Sequence, residues 1–465
     1  MNARVLRTEL KRSVAPWAGA VVLTSALALL YLLDGEWWKG TTAWTAQWTP
    51  LALWTRTLLF CLWPLAVGLG ALQGLRDHRS KTSELLTTTS RPAWHRAATQ
   101  AGTMAITLAS AFVVLVLVGA VQILANTEYT HLGWLPISLV GALSLVAGAV
   151  LGMGAGRALP SALTPPLLTM SAFAFTALMR MSLGRTRTET AEGFPISEPN
   201  RVSLLSPEVE EVRHALVTLS AAVHVGQTIW LLGLAATGFA LLVAATPRTR
   251  LLALTPALAG AAVALLVLPS DPRRMYVLDK DAAELVCDGP VCVSRMHQER
   301  LTDLTRHGTK ALRLLHGVLG SQAPVSVREN TAVQPEGSTP RWSREDVLFD
   351  FDDDIIAAAK GEELTWALIA KGMVPGCVPV GFGGAGGEDI ARTVAVGWVL
   401  GHLNTMPGQG PPKSRREIDS QARAVWQDLE VLPRAEQLSR INAMRAAAIS
   451  CEGDALDALT GGAHR

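Results

Sequence analysis

The chain has 465 residues, of which 49% are hydrophobic and 17% are charged, and its mean hydropathy is +0.28. Such values are typical of a chain that lies partly in lipid and partly in water. The net charge of +2 is too small to indicate a nucleic-acid partner, so none is expected.

The amino-terminal region joins a basic stretch to a long apolar run. Residues 1–14 place apolar side chains at helical spacing among Arg4, Arg7 and Lys11. This pattern is typical either of a helix in the cytoplasmic membrane interface or of a plain charged region before a span. Residues 15–33 are the first predicted span, and because no small-residue cleavage site follows them, we expect a retained helix with a cytoplasmic amino terminus.

A tryptophan-rich loop follows at residues 34–50. It holds Trp37, Trp38, Trp44 and Trp48, with Trp54 just inside the next apolar run. Such crowding is typical of an aromatic belt at the outer membrane interface. The alternative is a binding vestibule for an amphipathic substrate.

The most charged stretch before residue 180 is the segment 74–100, which lies between two apolar runs, residues 51–73 and 101–125. Each run is about long enough to cross a ~30 Å hydrocarbon core, which needs ~20 residues of helix. An excess of Lys and Arg in a short loop marks the cytoplasmic side of a membrane. The segment contains Arg76, Arg79, Lys81, Arg91 and Arg96 against Asp77 and Glu84. We therefore expect a cytoplasmic loop.

Within this loop we predict a short helix at residues 80–87, a break, and a second helix that starts at Pro92 and continues into the next span. Trp94 is expected at the headgroup level. Leu85 and Leu86 are apolar residues on a cytoplasmic element, which favours a protein partner over an ordinary positively charged loop.

Residues 84–96 follow the pattern E-L-L-x-T-T-x-R-P-x-W-x-R. This pattern resembles the cytoplasmic coupling helix of integral-membrane permease subunits in type-two ATP-binding-cassette (ABC) exporters, and the resemblance extends over roughly residues 1–250. It implies that a separate ABC ATPase subunit docks on the loop and hydrolyses ATP, with no cofactor in this chain. It also implies pairing with a second permease copy or a paralogue. The coupling residues implied are Glu84, Leu85, Leu86, Arg91, Trp94 and Arg96.

Two further apolar segments precede the middle of the chain. Residues 134–156 are the fourth predicted span, and their closely spaced glycines allow tight helix packing. Residues 160–181 are the weakest candidate, because Pro165 and Pro166 interrupt them. They are predicted to form either a kinked span or a re-entrant hairpin.

The remaining apolar runs are residues 225–245 and 251–269, joined by a basic turn. The polar segment before them is expected to contain an amphipathic helix at residues 207–223. If residues 160–181 cross the membrane, seven crossings from a cytoplasmic amino terminus place the rest of the chain outside; if they do not, everything after them changes side.

Four cysteines follow the last predicted span: Cys287, Cys292, Cys377 and Cys451. Disulfides persist in oxidising compartments, and an even number of cysteines in one soluble region favours disulfide bonds. Residues 286–293 form a predicted hairpin with Asp288 and Gly289 in the turn, so Cys287 is expected to pair with Cys292 and Cys377 with Cys451. Metal ligation is the alternative, but no histidine has the required spacing.

Residues 270–465 are predicted to form an α/β domain in which helices dominate. Strands are expected at residues 325–328 and 347–351. Helices are expected at residues 295–319, 355–371, 388–403, 415–432 and 434–450.

Sequence motifs for catalysis and metal binding are incomplete. There is no G-x-x-x-x-G-K-[ST] phosphate loop, because the glycine run 381–387 ends in acid, and there is no G-x-S-x-G elbow. His297-Gln298-Glu299-Arg300 lacks the second histidine of a zinc-protease helix, and residues 350–361 depart from a calcium loop. We therefore expect no enzyme activity in this chain.

The fold class expected is an α-helical polytopic membrane protein with six or seven transmembrane helices in residues 1–269. A helix-rich α/β soluble domain, residues 270–465, follows on the extracytoplasmic side. The expected function is the permease subunit of an exporter in the cell membrane. The alternative is a membrane-anchored extracytoplasmic sensor or an inactive peptidase-like module. An anchor needs only one or two spans, which favours transport.

Overall fold

The structure is a computed structural model that describes residues 13–462, apart from residues 80–91, 128, 190–192, 194, 210–211, 213, 336, 380–385, 409 and 411. The chain divides into two compact units. The first comprises residues 1–188 and 197–277, and the second comprises residues 189–196 and 278–465.

The first unit is a helix bundle in which most of the helices are apolar. They are α1 Ala15–Leu32, α2 Trp48–Thr57, α3 Leu59–Gly74, α4 Arg76–Arg79, α5 Ala93–Asn126, α6 Trp134–Ala158, α7 Thr164–Met181, α8 Ala221–Val243, α9 Pro247–Leu252 and α10 Thr255–Val267. Within the described residues, five helices are long and apolar enough to cross a membrane: α1, α5, α6, α8 and the helix at residues 247–267 that α9 and α10 form together. The number is up to six if α2 and α3, bent by 53°, form one broken span. The predicted series of apolar helices is confirmed at this level.

Glycines bring the central helices into backbone contact. A Cβ added at Gly70 would lie 2.0 Å from the Ala149 carbonyl oxygen, and one added at Gly152 would lie 2.0 Å from that of Val67. Only glycine permits α3 and α6 to approach so closely. A Cβ at Gly154 would lie 2.2 Å from the carbonyl oxygen of Gly238 on α8. The small residues of α6 therefore hold it between α3 and α8.

The weakest predicted span, α7, is one continuous helix. Its two prolines occupy the first turn, where the backbone N–H groups have no helical acceptor in any case, so they start the helix and do not break it. The predicted kink and the predicted re-entrant hairpin are therefore both wrong. Phe173 packs on Phe60 with ring centroids 5.2 Å apart, and Thr169 lies beside Gly68, so α7 runs antiparallel to α3.

The segment between α7 and α8 is mostly irregular. It contains β1 Arg185–Glu189 and β2 Pro195–Pro199, which pair with each other, a 3₁₀ helix Arg201–Leu205, and β3 Val217–Leu219, which pairs with β4 Tyr276–Leu278. The amphipathic helix predicted at residues 207–223 is wrong, because no described residue before Ala221 in that range is helical.

The tryptophan-rich loop folds onto itself. Trp44 is 0% exposed and packs edge-on against Tyr31 and Trp38, with ring centroids 5.3 and 5.4 Å apart. Trp54 is also buried, and its indole Nε1 donates a hydrogen bond to the Thr42 carbonyl oxygen. The predicted aromatic belt is therefore wrong for Trp44 and Trp54, whose rings are buried within the protein.

The second unit contains a four-stranded sheet in the order β5 Leu285–Asp288, β6 Val291–Ser294, β7 Ser326–Glu329 and β8 Asp346–Phe349. The predicted hairpin is confirmed: β5 and β6 are antiparallel, with Cys287 opposite Cys292. The pairs β6–β7 and β7–β8 are parallel. The long helix α11 Leu301–Leu319 makes the crossover that the parallel pair β6–β7 requires.

Short and long helices complete this unit. They are α12 Asp354–Ala358, α13 Glu362–Met373, α14 Gly386–Leu400, α15 Pro412–Glu430, α16 Arg434–Ser450 and α17 Ala455–Thr460. The helix predicted at residues 355–371 is divided in two, because Gly361 has a φ of +55°, which interrupts a right-handed helix. The mixed helix and sheet character of this region is confirmed.

Candidate functional site

The predicted coupling residues fall partly outside the described residues. Glu84, Leu85, Leu86 and Arg91 lie there. Trp94 and Arg96 lie in the first turn of α5, which begins directly after Pro92 as predicted. Trp94 is 52% exposed, and its ring stacks on His95 with the centroids 3.7 Å apart. Of the six predicted coupling residues, the structure therefore describes only these two, at the start of α5.

The late cysteines form the two expected pairs. The sulfur atoms of Cys287 and Cys292 are 2.08 Å apart, and so are those of Cys377 and Cys451. The fifth cysteine, Cys61 on α3, is free.

The main buried polar network of the first unit begins at Arg56. This residue lies at the end of α2, immediately before the break that separates α2 from α3, and it is 0% exposed. Its Nε and Nη2 atoms donate hydrogen bonds of 2.9 and 2.6 Å to the Pro207 carbonyl oxygen, and Nη2 also donates to Gln227 Oε1 at 2.9 Å. Its Nη1 atom has no hydrogen-bond partner. The guanidinium thus joins α2 to an irregular segment and to α8.

Room for this guanidinium comes from α6. A Cβ added at Gly141 would lie 3.0 Å from Arg56 Cδ and 2.8 Å from the ring of Phe112. Glycine therefore leaves the space in which the arginine stem lies. The planar fork of arginine suits the paired hydrogen bonds to one carbonyl oxygen, which a lysine ammonium does not reproduce.

Side chains of α8 hold the same irregular segment. Gln227 Nε2 donates to the carbonyl oxygens of Leu204 and Ser206 at 3.1 and 3.3 Å, and Trp230 Nε1 donates to that of Leu205 at 2.8 Å. Buried backbone carbonyls require such partners. We refer to residues 201–209 as the docked segment, because α2 and α8 together satisfy its backbone within the bundle.

Glu208 belongs to the docked segment, and its side chain is only 5% exposed. Its Oε2 atom lies 3.8 Å from Arg180 Nη1 on α7, which is beyond hydrogen-bond distance, and it has no hydrogen-bond partner. Burial raises the pKa of Glu208 to about 7, although the Arg180 charge opposes this rise. This carboxyl group therefore titrates near neutral pH.

A cavity of ≈ 30 Å³ adjoins Glu208, which is enough for one or two ordered water molecules. Its polar lining comes from different elements of the first unit. The polar lining residues are Arg180, Arg185, Ser203, Glu208, Gln227 and Tyr276. The unpaired carboxylate oxygen of Glu208 thus lies next to a space that admits water.

Sequence reasoning missed both Arg56 and Glu208. Arg56 is a charged residue inside the apolar run 51–73, and an ionisable residue in a predicted span is itself a signal of function. Glu208 gave no comparable signal, because its burial depends on how the docked segment packs.

The buried Lys371 of the second unit has its partners within that unit. Lys371 Nζ donates to Asp353 Oδ2 at 2.7 Å and to the Pro375 carbonyl oxygen at 2.8 Å, and it lies 4.8 Å from the centroid of the Trp342 ring. Burial lowers the pKa of Lys371, and Asp353 opposes this shift. With these partners, the ammonium is a structural element of the core.

His297, from the incomplete zinc-protease motif, is also engaged. Its Nδ1 atom lies 2.7 Å from Glu329 Oε1, and the Ser294 N–H donates to Glu329 Oε2 at 2.7 Å. In the described part of the chain, no group of three or more His, Cys, Asp or Glu residues is arranged to hold a metal ion.

Comparison of the chain with protein-family models, with curated proteins and with solved structures finds no match. The proposed function therefore rests on the chemistry and packing of the chain's own residues.

Proposed function

We propose that the chain is the membrane-spanning permease subunit of an ABC exporter. The observation that carries the proposal is the fully buried Arg56 at the break between α2 and α3. A charged side chain at the centre of a bilayer costs ~2.5–3.5 kcal/mol on insertion scales and is generally retained where it has a function. Broken helices are likewise typical of transport pathways. A sensor or inactive peptidase-like module that used these helices only as an anchor would need neither feature.

The position of α3 offers a route for coupling. This helix has 16 residues, so it is about 24 Å long, and it joins the Arg56 break at one end to the segment 74–100 at the other. A force applied by an ATPase to that segment would move α3 and strain the hydrogen bonds of Arg56 to the docked segment. ATP binding and hydrolysis belong to the partner subunit in this scheme, so this chain needs no nucleotide cofactor and no enzyme activity.

The proposal includes a topology and partners. Seven crossings from a cytoplasmic amino terminus place residues 74–100 in the cytosol of a cell whose plasma membrane holds the protein. The same topology places residues 278–465 outside, where disulfides persist. A second permease copy or a paralogue completes the exporter, and the lipid bilayer covers the outward apolar faces.

The test is to reconstitute the full chain in liposomes with a candidate ABC ATPase subunit. The double variant Glu84→Ala, Leu85→Ala removes a charge and an apolar side chain from the predicted docking loop. We expect the chain to stimulate ATP hydrolysis and the double variant to reduce hydrolysis to the rate of the ATPase alone, while its insertion stays normal.

The matched control is Arg248→Ala at an exposed position in the first turn of α9, which the topology also places in the cytosol. This variant should retain stimulation. Equal stimulation by the wild type and the Glu84→Ala, Leu85→Ala variant would refute the assignment of the loop.

A further inference from the structure

We propose that the cavity beside the docked segment is a proton-binding site in which Glu208 accepts the proton, and that its charge state sets how readily residues 201–209 leave the helix bundle. The functional meaning of this site rests on the proposed transport function, since a bundle that conducts a substrate must open. The site itself rests on geometry that is independent of any ATPase.

The first step concerns the carboxylate. Glu208 is nine-tenths buried, one of its oxygens has no hydrogen-bond partner, and the nearest cation lies 3.8 Å away at Arg180. A buried carboxylate without hydrogen bonds is costly, whereas a neutral carboxyl group is tolerated. The adjoining cavity of ≈ 30 Å³ has room for water, which would carry the proton to the carboxylate.

The second step concerns the charged and titratable groups that surround the cavity. Arg185 on β1 and Tyr276 on β4 line the cavity together with Glu208 and Arg180. Cys61 on α3 is within electrostatic range of Glu208, and His224 on α8 is within range of Arg56. Arg56 holds the carbonyl group of Pro207, the residue before Glu208. Among the described residues that line the cavity, Glu208 is the only carboxylate.

The third step is the direction of the effect. The pKa of Glu208 is about 7 in the docked state and 4.5 for a solvated glutamate. Because the folded value is the higher one, the contribution of Glu208 to the stability of the docked state is complete below pH 4.5 and is lost as the pH rises through about 7. Linkage then raises the equilibrium constant for undocking about tenfold between pH 6 and pH 8. Deprotonation therefore releases the segment, and protonation holds it.

The experiment is hydrogen exchange with mass spectrometry on the full chain in lipid nanodiscs, without an ATPase, at pH 6, 7 and 8. Exchange of peptides that cover residues 201–209 is corrected for the intrinsic pH dependence of amide exchange. In the wild type we expect the corrected rate to rise about tenfold from pH 6 to pH 8. In Glu208→Gln, which is neutral at every pH, it should stay constant.

Two further measurements distinguish a proton-binding role of Glu208 from a role in packing alone. Arg180→Gln removes the charge that opposes the raised pKa of Glu208, so the rise should become steeper and continue above pH 7. Peptides from α16 in the second unit should show no corrected pH dependence. No rise in the wild type, or an equal rise in Glu208→Gln, would overturn the proposal. Because no ATPase is present, neither outcome bears on the coupling experiment with the Glu84→Ala, Leu85→Ala variant.

Discussion

At the scale of single residues, Arg56 links three parts of the first unit. Its positive charge is not neutralised by a hydrogen-bonded carboxylate, because its described hydrogen-bond partners are a backbone carbonyl and an amide oxygen. Hydrogen bonds that involve a charged group contribute about 1.5–3 kcal/mol each, and buried groups left without partners add a penalty. The residue therefore has a large effect on the stability of the docked segment.

Arg56→Gln should destabilise the protein by about 2–4 kcal/mol, because it leaves the Pro207 carbonyl group with a weaker donor or none. Thermal unfolding of the full chain in nanodiscs measures this change. The matched control is Arg187→Gln on β1, an exposed arginine whose loss should change stability by less than about 0.5 kcal/mol. Equal unfolding temperatures for the two variants would show that the Arg56 network contributes little.

At the scale of secondary-structure elements, the two disulfides close loops of very different size. Cys377 and Cys451 are 74 residues apart in sequence, whereas Cys287 and Cys292 are 5 apart. The larger loop connects the segment after α13 to the end of α16. The smaller one lies across a hairpin whose register is already fixed by backbone pairing. In the chain-entropy model, a disulfide stabilises more when its loop is longer.

Replacing both Cys377 and Cys451 by Ser should cost about 4 kcal/mol, and replacing both Cys287 and Cys292 about 2 kcal/mol. Thermal unfolding of the full chain, followed by exchange at α16 and at β6, measures both effects. The intact mass before reduction should show one free thiol, that of Cys61. A larger loss for the short loop, or free thiols after residue 278 in the native protein, would contradict this prediction.

The elements that were predicted well are those with local determinants. The hairpin over residues 286–293 follows from Asp288 and Gly289, where Gly289 has a φ of +60°. The bounds of α16, Arg434–Ser450, agree with the apolar periodicity. The docked segment was missed because carbonyl groups that a helix would have used internally are instead satisfied by Gln227 and Arg56 from distant helices.

The same reasoning explains the partial success at the candidate site. Trp94 begins α5 as expected, since Pro92 favours a helix start. The pairing of the late cysteines was accessible from their number and spacing. The position of Glu208 beside a cavity could not be predicted from the sequence, because it depends on three-dimensional packing of α7 and α8.

At the scale of the whole molecule, the directions of α3, α6 and α7 agree with those that the proposed topology requires. α3 and α6 run parallel, since Gly70 faces Ala149 and Gly74 faces Met153. This direction is expected if α5, which lies between them in the sequence, crosses the membrane once in the opposite direction. α7 runs antiparallel to α3. These directions favour the topology in which α7 crosses, even though it is not among the helices that meet the length and hydropathy criteria.

The proposed permease function requires that residues 74–100 face the compartment that contains ATP while residues 278–465 face the other. Labelling with a membrane-impermeant maleimide in intact cells measures both sides at once. The variants are Ser83→Cys in the predicted coupling loop and Ser321→Cys, an exposed position of the second unit, each with Cys61→Ala. We expect Ser321→Cys to be labelled in intact cells and Ser83→Cys only after permeabilisation. Labelling of Ser83→Cys in intact cells would contradict the proposal, because no cytosolic ATPase can act on a loop that faces outward.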